Sequence, residues 1–334
     1  VDSLNKEVLI GVKENDEKLL VKNAEEYTSP IIKIFKVDSF ARLIIIFTVF
    51  DFSTNKQSNL FKQYLEPKNK SLADLADIYI NDSFSVCHRA HSSVHGITKY
   101  LPSYAGLALQ LEIEMLEKVL KNSEPPMMAI IGGSKVSTKL KLLGNLVEKM
   151  KYLAIGGGMA NTFLAAKGLN IGSSFYEKDM LEEAKNIMEK AKTVSCDIIL
   201  PVDAIVADKL EFGVESFAVD LDNVKKNNMI LDVGEKTVEL ISNGIINSKT
   251  LLWNGPLGVF EIPPFDESTS SCALTAAMMT RAGGLVSVAG GGDTVSALNH
   301  AGASGGFSYI SVAGGAFLEW IEGKSLPGLQ VLND

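Results

Sequence analysis

Arginine is scarce in this 334-residue chain: Arg42, Arg89 and Arg281 are its whole complement. A protein that reads nucleic acid needs a basic face to displace counterions, and a formal net charge of -8 points the other way. Cysteine is equally sparse. Cys87, Cys196 and Cys272 are odd in number and far apart, which excludes a disulfide framework and fits a reducing cytoplasm. Long apolar runs are missing too: the longest strongly apolar stretch, 43–50, is too short to span a bilayer and reads as a buried strand, and no secretory signal precedes it. With Val1 in place of a starting methionine, the native start is expected to lie outside the chain. Both common nucleotide signatures fail. Gly156-Gly157-Gly158-Met159-Ala160-Asn161 has asparagine where a dinucleotide fold needs its third glycine, and Gly323-Lys324-Ser325 has Leu318 where a Walker loop has glycine.

What is present is a soluble globular composition, 46% hydrophobic and 22% charged with 28 glycines, in a chain long enough for two domains. From about residue 127 a unit recurs: a short β-branched run, a glycine turn, then an amphipathic helix. The runs are 129–131, 152–155, 250–253, 285–289 and 309–313. Such alternation predicts right-handed βαβ units, an α/β fold with a parallel sheet flanked by helices, and a ligand across the carboxyl ends of the strands. Residues 111–120 have helical spacing and read as the connector between domains. In the less regular front half, 30–35 reads as a helix, 43–47 and 78–80 as strands, and 53–70 as polar loop.

The stretch Ala129-Ile130-Ile131-Gly132-Gly133-Ser134-Lys135-Val136-Ser137-Thr138-Lys139 reads as an apolar strand passing through a glycine turn into a helix. On that reading Lys135 and Lys139 share one helical face beside a turn whose N–H groups attract anions. Two solvated lysines on a surface helix would look the same. Recurrence of the glycine turns favours a polyphosphate site, since several helix N-termini would then ring one crevice. In Gly290-Gly291-Gly292-Asp293-Thr294 the aspartate is either a helix N-cap or, beside a triphosphate, the one carboxylate that magnesium requires. Glu261 is either a ribose acceptor or a solvated loop residue.

Taken in order, these segments resemble the phosphoglycerate kinases. The resemblance rests on Asn81-Asp82-Ser83-Phe84, His88-Arg89-Ala90-His91, the 132–139 and 155–159 stretches, Leu200-Pro201-Val202-Asp203, Trp253 through Glu261, 290–294, Gly314-Gly315 and Glu322 through Gly328. It covers roughly residue 72 to the end. It implies two domains, each a parallel sheet flanked by helices: an N-terminal 3-phosphoglycerate-binding domain at 1–105, shortened here, and a nucleotide-binding domain at 122–318. An interdomain helix at 106–121 joins them, and 319–334 returns to the first. By the same resemblance Lys135, Lys139, Gly314 and Gly315 look catalytic. Gly133, Ser134, Gly157, Gly234, Asn254, Pro256, Gly258, Val259 and Glu261 look like the adenosine-side wall, and Gly291, Gly292 and Thr294 like the phosphate cradle. Asp293 looks like the magnesium carboxylate. Arg89, with Asp2 and Asn5 from the family's first loop, looks like the acid-binding set.

The implied reaction is reversible phosphoryl transfer between ATP and 3-phosphoglycerate, giving ADP and 1,3-bisphosphoglycerate, with Mg2+ carried on ATP or ADP. The implied protein is a cytoplasmic monomer that closes about a hinge, with neither nucleic-acid nor membrane partner. Such a transfer needs no general base, because the attacking carboxylate is already ionised near neutral pH. Positioning and charge neutralisation are what remain. His88, His91 and His95 are then expected to pack and hydrogen-bond, with no proton to move.

The front quarter departs from that family pattern. Asp2 and Asn5 are one residue out of spacing, the position of a transition-state arginine falls near Ala24, and Asp51 stands where the family's next loop has arginine. Several tens of residues are missing between Asp51 and Tyr79, and Val312 and Ala313 replace a threonine and a glycine in the last turn. A clamp of arginines cannot be replaced by lysine without loss of geometry. Two readings follow: a glycolytic kinase with a reduced N-terminal half, or a nucleotide-binding pseudoenzyme with an impaired acid site.

Overall fold

In the computed structural model the described residues are 31–36, 42–47, 69–120 and 123–332. The chain divides into two compact units, Val1–Glu114 with Ala313–Asp334, and Met115–Val312.

In the first unit β1 (Ile31–Lys36), β2 (Arg42–Phe47), β3 (Ile78–Asn81) and β4 (Ser103–Ala105) form one sheet in that order. β1 and β2 are antiparallel, with Ile31 opposite Phe47, whereas β2, β3 and β4 run parallel. β1 stands where the sequence pattern suggests a helix at 30–35. Its isoleucine-rich run favours the pleated surface, and the 37–41 link is too short for the crossover that parallel neighbours would need. A small core of Ala73, Ala76, Tyr79 and Ile97 lies beside it, fed by the short helix α1 (Asn69–Ala73).

Helix α2 (Leu107–Leu120) starts under Asp82. Asp82 Oδ1 accepts the N–H groups of Ala108 at 2.7 Å and Leu109 at 3.0 Å, satisfying two of the donors a helix start leaves open. A side chain at Gly106 would overlap that carboxylate. The Asn-Asp-Ser-Phe motif therefore serves the fold directly, by beginning α2. The division between the units falls inside this helix, after Glu114.

In the second unit β5 (Met127–Ile131), α3 (Leu140–Val147), β6 (Tyr152–Ile155), α4 (Gly157–Ala166), α5 (Leu181–Thr193) and β7 (Asp197–Ile199) follow the expected alternation. The next stretch departs from it. β8 (Asp203–Ala207), β9 (Phe217–Asp220) and β10 (Met229–Val233) form a separate antiparallel sheet in the order β10-β8-β9. The pattern then resumes with α6 (Glu235–Ile246), β11 (Thr250–Asn254), α7 (Glu267–Arg281), β12 (Val286–Gly290), α8 (Gly292–His300) and β13 (Tyr309–Ser311). The main sheet has six strands in the order β13-β12-β11-β5-β6-β7, parallel at every pairing. Every residue of β5 and β11 is buried, as central strands covered on both faces require. Met128, Ile130, Leu251 and Trp253 pack there with Ala273 and Ala276 of α7 and Leu298 of α8.

The last segment belongs to the first unit. It carries α9 (Gly314–Ile321) and α10 (Pro327–Gln330). Trp320 meets Phe84 edge to face at 5.9 Å, and the Gly328 N–H donates to the Cys87 carbonyl at 2.9 Å.

Candidate functional site

The carboxyl ends of β12, β11, β5 and β6, four adjacent parallel strands, share one rim of the second unit. Their turns are packed into one another. The Gly132 N–H donates to the Asn254 carbonyl at 2.9 Å, the Gly157 N–H to Leu257 at 2.7 Å, and the Met159 N–H to Gly133 at 2.9 Å. Side chains at Gly132 and Gly255 would overlap the backbone of the opposite turn, and one at Gly157, where φ is +65°, would sit 2.7 Å from the Gly133 carbonyl. These glycines let backbone approach backbone, and the rim is built by that contact.

Lys135 and Lys139 do not share a helical face. Residues 132–139 are loop and turn, and α3 begins only at Leu140, with Lys139 at the N-cap position. Lys139 Nζ turns back under the glycine turn and donates to the Gly132 carbonyl at 2.6 Å and to Asn254 Oδ1 at 2.6 Å, with the Asn254 carbonyl at 3.4 Å. All of these acceptors are neutral. Burial pushes its pKa down to about 8, and the Asp293 charge nearby only partly opposes this. Lys135 stays exposed on the loop.

Asn254 joins the two sides of the rim, its Nδ2 donating to the Gly290 carbonyl at 2.6 Å. Thr294 Oγ1 accepts the Gly255 N–H at 2.7 Å and donates to Gly290 at 2.8 Å, so that hydroxyl is spent within the protein. Asp293 is not the N-cap of α8. Gly291, at φ +100°, holds that position, and the aspartate lies exposed in the first turn with no capping bond from its side chain. Gly292 opens outward, with nothing within 4 Å of an added Cβ. Exposed Asp293 and half-buried Lys139 thus stand beside a helix start whose first N–H groups have no partner within the helix.

The 255–261 loop continues from this rim. Its Val259 N–H donates to Leu231 of β10 at 2.9 Å, and Val259 packs with Phe265. Glu261 is exposed, whereas Pro256 is half-buried beside the Gly132 turn. Ser134 is exposed on the lysine loop, its backbone against Gly158. Gly258 lies on the buried carboxylate of Asp232, which accepts the N–H groups of Val233 at 2.9 Å and Ser268 at 3.1 Å. Burial nonetheless raises the Asp232 pKa to about 7. Gly234 sits at the N-cap of α6, against the Asp203 carboxylate, which takes the Lys236 and Thr237 N–H groups at 2.9 Å each. Asp203 closes the Leu200-Pro201-Val202-Asp203 motif without a role assigned from sequence, and Asp232 does not stand out at all. The available signal is a lone carboxylate in an otherwise apolar strand, as in Ile230-Leu231-Asp232-Val233.

In the first unit Arg89 is exposed, its Nη1 2.8 Å from Glu319 Oε1 and 3.4 Å from the His88 carbonyl. Burial, with His88 and Arg89 adding to it, holds the His91 pKa below its usual value. Gly314 and Gly315 open α9 there. Asp2, Asn5, Ala24 and Asp51 lie outside the described residues.

Residues 52–324 match the family description "Phosphoglycerate kinase". The chain belongs to the phosphoglycerate kinase family. It is similar to "Phosphoglycerate kinase" of Rhizobium leguminosarum bv. trifolii, 56% identical over 264 residues that cover 79% of this chain and 66% of the relative. The same name attaches to a Caulobacter vibrioides relative, 54% identical over 263 residues covering 79% and 66%. Among solved structures it resembles phosphoglycerate kinase from Coxiella burnetii, with a TM-score of 0.77, 41% identity, and 82% of this chain and 69% of that one covered. The enzyme of that name from Pyrococcus horikoshii gives 0.69 at 29% identity, covering 79% and 65%. The chain thus spans about two thirds of the length of its phosphoglycerate kinase relatives. Among the described residues no helix is long and apolar enough to cross a membrane.

Proposed function

We propose that the chain catalyses reversible phosphoryl transfer between ATP and 3-phosphoglycerate, giving ADP and 1,3-bisphosphoglycerate, as a cytoplasmic monomer. The observation that carries this reading is Lys139, a desolvated ammonium held by neutral oxygens beside Asp293 and the start of α8. A polyphosphate laid along the rim meets helix N–H groups, Lys139 from below and Lys135 from the solvent side. Gly133, Ser134, Gly157, Pro256, Val259 and Glu261 form the wall for the nucleoside, while Asn254 and Thr294 fix the turns. Gly291 and Gly292 bring the start of α8 to the phosphates. Gly234 acts at the far end of the wall through the 231–234 segment.

Magnesium fits this donor set. Among the described residues no cluster of three or more His, Cys, Asp or Glu could cage an ion, and one exposed carboxylate, Asp293, sits where nucleotide phosphates would supply the remaining oxygens. When bound, the ion neutralises phosphate charge. Lys135 and Lys139 do the same for the transferring group, and no residue need move a proton, since the acceptor carboxylate arrives ionised. Arg89 is the acid-binding cation, and Gly314 and Gly315 take the catalytic role that the family resemblance implies. Relatives named phosphoglycerate kinase at 54% identity lend the pseudoenzyme alternative no support.

A coupled assay with 3-phosphoglycerate and Mg-ATP tests the reading. Turnover is expected, falling by roughly 10² to 10³ in Lys139→Ala, the scale for removing one charge-stabilising donor. Tight Mg-ADP binding with no turnover would overturn it.

A further inference from the structure

The loop that carries both lysines is anchored from outside the rim, and the anchor is Glu177. This residue follows α4 in the chain, on the segment that runs back along that helix. Two bonds pin the segment to α4: Asn161 Nδ2 donates to the Phe175 carbonyl at 3.3 Å, and the Glu177 N–H donates to Thr162 Oγ1 at 3.1 Å. Asn161 and Thr162 are buried, so the attachment is rigid at its base. The Glu177 carboxylate then reaches across to the lysine loop. One oxygen accepts the Ser137 N–H at 2.9 Å and the other accepts the Ser137 hydroxyl at 2.5 Å. Burial alone would raise its pKa, yet the Ser137 hydroxyl, the N–H groups of Ser137 and Val136 and the charge of Lys135 together hold it below the ordinary glutamate value. The carboxylate is thus ionised and fully engaged at neutral pH.

We infer that Glu177 is a positioning residue, a strap from α4 that fixes the 133–139 loop so that Lys135 and Lys139 meet nucleotide phosphates at a set spacing. The inference rests on the kinase reading above and deepens it. Ser137 lies midway between Lys135 and Lys139, so the strap acts on the part of the loop that sets their separation. The loop's own bonds, from the Lys139 N–H to the Val136 carbonyl at 2.9 Å and from Thr138 Oγ1 to the Lys135 carbonyl at 2.8 Å, close a single turn without fixing where it sits. Without the strap it would sample more positions, each lowering the fraction able to bind. A role confined to stability would instead lower the melting temperature and leave nucleotide and acid kinetics alone.

The experiment compares wild type, Glu177→Ala, Glu177→Gln, Ser137→Ala and the double variant Glu177→Ala/Ser137→Ala. Three quantities are read: amide hydrogen exchange across 133–139 without nucleotide, Mg-ADP affinity by calorimetry, and KM for ATP and for 3-phosphoglycerate. Glu177→Ala should speed exchange at Val136 and Ser137 and weaken Mg-ADP about tenfold, the scale for losing a charge-assisted hydrogen bond. The KM for ATP should rise in step, with the KM for 3-phosphoglycerate unchanged. Glu177→Gln, which keeps one acceptor, should recover part of the loss. The double variant should be no worse than Glu177→Ala, since both changes cut one connection. Unchanged exchange in Glu177→Ala, or losses in Glu177→Ala and Ser137→Ala that simply add, would overturn the strap. The exchange arm needs no nucleotide, so failure of the wild-type chain to bind Mg-ADP would count against the kinase reading alone.

Discussion

Mg-ADP should bind about tenfold more weakly at pH 9 than at pH 7, and Lys139 should be the reason. Its pKa in the free protein is about 8 because burial strips water from the ammonium and the neighbouring acceptors are neutral. The charged fraction is then roughly 0.9 at pH 7, 0.5 at pH 8 and 0.1 at pH 9. Phosphates placed beside it favour the charged form and raise the bound-state pKa. Binding therefore takes up a proton above pH 8, and affinity falls by about one power of ten per pH unit until the bound pKa is reached, which is about 1.4 kcal/mol per unit.

The same shift acts on stability with the opposite trend. An unfolded lysine holds its proton to higher pH than the folded one, so between about 8 and 10.5 the unfolded chain binds more protons, and the free protein gains stability as pH rises through that window. Calorimetry at pH 7, 8 and 9, in paired buffers of different ionisation enthalpy, reads both affinity and proton uptake. Uptake should be about half a proton at pH 8 and close to one at pH 9. Cys87 and Cys272, pushed up to about 12, and Cys196, pushed up to about 11, titrate above the pH 7–9 range, whereas Asp232, raised to about 7, titrates at its lower edge, and Lys139→Met separates its contribution from that of the lysine. Affinity that is flat from pH 7 to 9, or a slope that survives in Lys139→Met, would refute the reasoning.

Three further outcomes follow from contacts already described. Gly258→Ala forces a methyl group into the Asp232 carboxylate and should cost roughly 1–3 kcal/mol, read as a lower urea midpoint at constant slope. Asp82→Ala removes the acceptor for the Ala108 and Leu109 N–H groups and should lower stability by about 1 kcal/mol, while Asp82→Asn should recover most of it. Glu319→Gln breaks an exposed pair with Arg89 and should change stability by less than about 1 kcal/mol. Freed from that carboxylate, Arg89 should leave the KM for 3-phosphoglycerate equal or lower; a higher KM would mean that Glu319 aims the arginine instead of competing for it.

The parallel sheet is legible in the sequence because β5, β6, β11 and β12 each lead from an apolar run into a glycine turn, a signal that local pattern carries whole. The antiparallel β10-β8-β9 sheet is not. Its strands are joined by polar loops without glycine-to-helix turns, and its pairing depends on long-range register that no window of sequence contains. The helix expected at 30–35 fails for a similar reason, since a short isoleucine-rich run has no decisive period and only its neighbour β2 makes it a strand. At the site, residue types are readable and geometry is not. Lys135 and Lys139 have helical spacing, but the helix starts only at Leu140, and Lys139 Nζ is bonded to the Gly132 carbonyl and Asn254 Oδ1, long-range contacts that spacing does not contain. Asp293 looks like a cap in the sequence, and Gly291 takes that position because its φ of +100° suits glycine alone.

The choice of neutral partners for Lys139 matters more than the presence of the lysine. Had a carboxylate held the ammonium at hydrogen-bond distance, an incoming phosphate would have to break a charge-assisted bond worth about 1.5–3 kcal/mol and leave an anion beside its own charge. Carbonyl and amide oxygens orient the group equally well and repel phosphate far less. The nearest acidic influence, Asp293, is exposed and outside hydrogen-bond contact, and a divalent ion arriving with the nucleotide would neutralise it at the moment of binding. The glycine turns serve the same end. By packing backbone on backbone at Gly132, Gly157 and Gly255 they bring uncharged carbonyls under the ammonium, so the rim positions Lys139 without pairing its charge to a carboxylate, as the proposed phosphate site requires.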